Sequence, residues 1–132
     1  MHKSDHTSTG FDSSRFFVQW FYTKSHSRLL LWSEQGNTER TRIELLFLDV
    51  AVINIPVYMR GLKITPLKGR EVQAELARVP VQQTRDKVLF RMSGTDWEGY
   101  VIAASLTVAE AERSFDAPSD LLDPLWSSPF PR

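Results

Sequence analysis

Histidine is the usual general base near neutral pH, and this chain of 132 residues has three, His2, His6 and His26. The first two stand in a polar leader rich in Ser and Thr. The third stands in a short polar break between two apolar runs. His2, Asp5 and His6 have the chemistry of metal ligands, but a leader without periodicity offers no preorganised geometry. It reads as a mobile arm over residues 1–14. His26 reads as a solvated turn residue. The chain has no cysteine, which removes thiolate nucleophiles, disulfides and Cys-based zinc sites together. Neither a Ser–His–Asp nor a Cys–His mechanism has support.

The carboxylates are the stronger candidates. Residues 1–69 carry nine Lys/Arg and six Asp/Glu, whereas residues 70–132 carry seven and ten. Asp96 and Glu98 share a Gly-bounded turn, and Glu110, Glu112 and Asp116 follow the apolar run that it leads into. Paired carboxylates can divide acid and base roles or hold a hard cation. These lack the Gly-anchored spacing of a calcium loop, so the set reads as a solvated face or a partner contact, with no metal and no cofactor. Trp97, between Asp96 and Glu98, is costly to leave exposed. It is either a lid over the end of the fold or an anchor for a partner. With Tyr100 beside it, the candidate binding set is Asp96, Trp97, Glu98, Tyr100, Glu110, Glu112 and Asp116. No catalytic residue is assigned.

The elements that must position this set are strands. Residues 15–32 hold two dense apolar runs around the break at 23–27, which predicts a hairpin of two central strands. In the first, Phe16, Val18, Trp20 and Tyr22 alternate with Phe17, Gln19 and Phe21. Ile43, Leu45 and Phe47 share a face opposite Arg42, Glu44, Leu46 and Leu48, while Ile53 and Ile55 align in a short continuation closed by Pro56. Arg60-Gly61 predicts a turn, followed by a short strand at 62–64. Val88, Phe90 and Met92 point inward on the next strand. Residues 100–108 read as one long strand with Tyr100, Ile102, Ala104, Leu106 and Val108 on one face. Residues 70–78, bounded by Gly69 and Pro80, favour a short helix by composition.

These spacings predict a mainly β fold: an antiparallel sheet of about seven strands, rolled into a barrel or sandwich, with at most one short helix. At this length one core can bury roughly two thirds of the unfolded surface, so residues 15–116 form a single domain. A Pro/Ser-rich tail occupies 117–132, with enough apolar content to pack on its own sheet or on an identical chain. The sixteen basic and sixteen acidic residues cancel, giving no general attraction to nucleic acid or an anionic membrane. Aromatics interleave with Arg15, Lys24 and Arg28, but aliphatics dominate both faces there and core is the stronger reading. There is no Gly-rich phosphate loop, no signal-peptide apolar region and no run long enough to span a bilayer. A cytoplasmic, non-enzymatic protein-binding module is therefore expected, dimeric and of an immunity or accessory type, that meets another protein through an acidic, Trp-tipped surface. The alternative is a small-ligand β-barrel using carboxylates, which requires an apolar cavity with convergent polar groups.

Overall fold

In a computed structural model of the chain, residues 3–7, 10–23, 27–34, 40–67 and 87–112 are described. The helix expected over 70–78, the tail, His2, His26 and Asp116 lie outside them. Every element among the described residues is a strand: β1 (Lys3–Thr7), β2 (Phe11–Thr23), β3 (Arg28–Ser33), β4 (Thr41–Leu48), β5 (Val52–Asn54), β6 (Tyr58–Leu67), β7 (Val88–Gly94), β8 (Trp97–Ala103) and β9 (Ser105–Glu112). They form one antiparallel sheet in the order β1-β9-β4-β3-β2-β6-β7-β8-β5. The mainly β expectation holds, with nine strands rather than about seven. The barrel form does not, because among the described residues the sheet keeps two edges, β1 and β5, with no ladder joining them.

The sheet is nevertheless strongly curled. Phe47 of β4 and Phe90 of β7 stand four ladders apart, about 19 Å in a flat sheet, yet their rings meet edge to face at 5.3 Å. Likewise only four Cα–Cα steps separate Thr7 from Phe11, a reach of about 14 Å at most, although β1 and β2 are also four ladders apart. Two bulges in β2 supply the bending. In one, between Ser13 and Phe16, β2 gains a residue against β6, and Gly61 opposite takes φ 73°, a conformation that side chains disfavour. The expected turn at Arg60-Gly61 therefore lies inside β6, opposite the β2 bulge. In the other, Trp20 is the extra residue against β3. Pro66 is tolerated within β6 because β2 pairs only as far as Ile64, so its missing N–H costs that ladder nothing.

The concave face closes over one core. Phe17, Leu29, Leu31, Leu45, Phe47, Met59, Leu62, Ile64, Phe90, Met92, Val101, Ala103 and Leu106 are all essentially inaccessible, each large side chain contributing roughly 1.5–3 kcal/mol by burial. Ile53 and Ile55 pack against it, and the chain after them straps back to β2. There Gln19 donates from Nε2 to the carbonyls of Ile55 and Pro56 at 3.0 and 3.1 Å, and from its amide to Val57 at 2.8 Å.

Two expected faces are corrected by phase slips. The run 100–108 is two strands broken by a bend at Ala104, whose N–H donates to Leu48 O at 2.9 Å. Val101 and Ala103 thus share the core with Leu106, while Tyr100 and Ile102 pack in a separate cluster with Leu67, Leu89, Ala51 and Val52. At Trp20 the bulge likewise moves Phe21 beside Val18, in a cluster with Leu30, Trp32 and Leu46.

Candidate functional site

The β7–β8 connection is a two-residue turn, Thr95-Asp96, closed by the Gly94–Trp97 pair, with Asp96 at φ 64°. It is pinned to β6 at one atom: the carbonyl oxygen of Arg60 accepts from the Thr95 amide at 2.8 Å and from Trp97 Nε1 at 3.4 Å. This approach requires Gly94, since a Cβ there would overlap Trp97 Nε1 and the Gly61 and Arg60 carbonyl oxygens. Trp97 is half-buried and packs against the main core, the lid arrangement. Asp96 and Glu98 on either side are exposed.

Glu110 and Glu112 are exposed near the end of β9. Glu110 belongs to a rim network: Thr41 donates from Oγ1 to its Oε2 at 2.6 Å, and Arg15 Nη2 reaches that oxygen at 3.4 Å and Thr41 Oγ1 at 3.0 Å. Arg15 Nη1 also donates to the Thr41 carbonyl at 2.8 Å. Arg15 sits in the β2 bulge, which re-aims its side chain toward β4 and β9. Its neighbour Phe16 pairs with Arg60, which holds Trp97. Trp97 and Glu110 are thereby brought to one rim, although Glu110 is engaged in a structural network.

Glu98 and Tyr100 take a different direction. They line an outer-face cleft of about 520 Å³ whose other walls include Asn54, Leu89, Arg91 and Ser93. Ladder register sets Tyr100 opposite Arg91, Glu98 opposite Ser93, and Asn54 opposite Tyr100. Gly99 lets β5 close this side, because a Cβ on it would overlap the Asn54 carbonyl oxygen. The carboxylate set read from sequence thus divides between a rim network and a cleft. Among the described residues, no three His, Asp or Glu side chains converge as metal ligands would.

Residues outside the expected set form a second surface. Phe16 stacks on Tyr58 with ring centroids 5.4 Å apart, and the Arg60 guanidinium lies over Phe16 at 5.2 Å. Tyr58 is half exposed, and its hydroxyl donates to Glu34 Oε1 at 3.0 Å. Desolvation first, then the Glu34 bond and charge, raise its pKa above the ordinary tyrosine value. Trp20 stacks on Trp32 at 4.0 Å, and Arg42 lies over the Trp32 ring at 4.0 Å from its centroid. Arg42 Nη2 bonds Glu44 Oε2 at 2.7 Å in a pair whose side chains are each 1% exposed. The aromatic spacing in 15–22 was visible in sequence, but its partner Tyr58 lies over thirty residues away and only the β2–β6 register joins them.

No protein-family model matches the chain, and neither the curated proteins nor the solved structures include a match.

Proposed function

We propose that the chain is a non-enzymatic protein-binding module whose contact face runs from the β7–β8 turn along β6 and β2. The observation that carries this reading is the exposure of Trp20, Val57 and Tyr58, at 36%, 65% and 50%, where β2 and β6 meet. Val57 is joined to Gln19 by a backbone bond and Tyr58 pairs with Val18, so the three are neighbours. Trp20 and Tyr58 are already held in ring stacks, which lowers the ordering cost of binding, and aromatics with arginine are the usual interface anchors. Asp96, exposed on the turn held to Arg60, extends this face with negative charge. The exposed anchor in this reading is Tyr58, with Trp97 as the lid behind it. An accessory or immunity-type role suits such a module.

The test is capture of partners from lysate of the source cells, with the purified chain sized alone in parallel. One stoichiometric protein retained by the wild type and lost with Tyr58→Ala plus Val57→Asp is the expected result. A second copy of the chain would appear as a dimer lost in the same double variant. Equal retention by both chains would remove this face.

A further inference from the structure

The outer face of β3, β4 and β9 is sealed from water, although the sheet itself supplies nothing to seal it. Leu30, Trp32, Arg42, Glu44 and Leu46 are each no more than 6% exposed. They alternate with the core residues Leu29, Leu31, Ile43, Leu45 and Phe47, so they stand on the opposite, convex side. Across the next ladder, Thr107, Ala109 and Ala111 lie opposite Leu46, Glu44 and Arg42 and are buried as well. Side chains standing on one sheet shield each other's flanks but not their tips. Every element among the described residues belongs to this sheet, and its curl closes on the other face, where Phe47 meets Phe90. Trp20 stacks on Trp32, but Ala109 and Ala111 stand two ladders farther on, about 10 Å away. An arginine and a glutamate whose side chains are each 1% exposed there need a second layer over them.

We infer that residues 113–132 supply this layer, with the apolar stretch 121–130 lying across the outer face of β9, β4 and β3. Chain position, reach and composition select this segment. The chain leaves β9 at Glu112, which pairs with Thr41, one residue beyond the Ala111–Arg42 pair. It therefore departs at the border of the sealed patch. Crossing from β9 to β3 takes about 10 Å, or about three extended residues, and twenty residues follow Glu112. The stretch 68–86 is placed differently. It joins β6 to β7 beside the other outer cluster, Leu67, Leu89 and Ile102, and both β2 and β3 separate β6 from β4. Leu121, Leu122, Leu125, Trp126 and Phe130 put five large apolar side chains within ten residues. Pro124 and Pro129 lack the N–H of a ladder, which suits a chain laid over side chains rather than added to an edge. The outer face is thus a receptor for an extended, proline-containing apolar segment, filled by the chain's own terminus. This inference does not depend on the protein-binding reading, since neither Val57 nor Tyr58 takes part in it.

The chain has no cysteine, so Ser127→Cys gives a single position for a nitroxide in the full isotope-labelled protein. Paramagnetic broadening of the Trp32, Glu44 and Ala109 amides is expected, and it should be lost when Leu122→Ser and Trp126→Ser are added. A mixture of isotope-labelled chain without nitroxide and unlabelled chain carrying it separates a strap from an exchanged terminus. Broadening in that mixture places the segment on a second copy and overturns the inference. Broadening centred on Leu89 and Ile102, or none at these amides, overturns it too. The labelled single variant carries the test, so poor folding of the Leu122→Ser, Trp126→Ser chain leaves it decisive. Partner capture through Tyr58 can fail with the broadening intact, and the reverse, so the two readings fall separately.

Discussion

Of the arginine–glutamate combinations outside the main core, two have opposite fates. Arg42 and Glu44 are two residues apart on β4, packed beside Trp32 and within 2.7 Å of each other, with almost no exposure. Arg91 and Glu98 lie across β7 and β8, exposed on the floor of a cleft. The residue types are the same, so the difference comes from what surrounds them. A desolvated pair fixes the position of the strand that carries it, because neither charge can be left alone. Charges exposed at the surface cost little to keep, because water continues to solvate them.

Breaking the buried combination should produce the largest effect. Arg42→Ala takes the guanidinium away from the buried Glu44 carboxylate and should cost about 3–5 kcal/mol, read as a lowered denaturant midpoint. Arg42→Met with Glu44→Leu should recover most of that loss, and failure to recover it would mean that the guanidinium's position over Trp32 is the larger contribution. Gly94→Ala comes next, at about 1–3 kcal/mol. It pushes Trp97 off the Arg60 carbonyl, and a shift in Trp fluorescence should accompany the destabilisation.

The exposed carboxylates sharpen the comparison at smaller scale. Glu110→Gln, in the rim network with Arg15 and Thr41, should cost under about 1 kcal/mol. Glu98→Gln should change stability by no more than about 0.5 kcal/mol. If Glu98→Gln destabilised the fold more than Glu110→Gln, the cleft residue would be structural and the contrast would fail. The smallest effect is optical. Tyr58 should ionise above the ordinary tyrosine range, and Glu34→Gln should lower its midpoint in ultraviolet titration. Because the folded value is the raised one, the stability linked to the neutral phenol is fully present below the ordinary tyrosine pKa. It disappears as pH rises through the raised value.

Much of the sheet was legible because alternation is a local property. Ile43, Leu45 and Phe47 face the core, as do Val88, Phe90 and Met92, and the hairpin over 15–32 forms between Thr23 and Arg28. Alternation failed where the ladder slips by one residue. The Trp20 bulge and the Ala104 bend each reverse the phase of the residues after them, and neither residue type announces a slip. The candidate site was legible in composition only. Glu98 and Glu110 look alike in sequence, yet one lines a cleft and the other is bonded to Thr41, which is 69 residues distant in the chain.

Local pattern in the chain was enough for the β class, the inward rows of most strands and the glycine-bounded turn at 94–99, because side-chain period and turn chemistry act over a few residues. The curl, the burial of Arg42 with Glu44, the tuck of Trp97 and the separation of the carboxylates came only with the assembled sheet. Each of these depends on which strands become neighbours. That pairing is fixed by the summed burial of the whole sheet, which no single segment encodes.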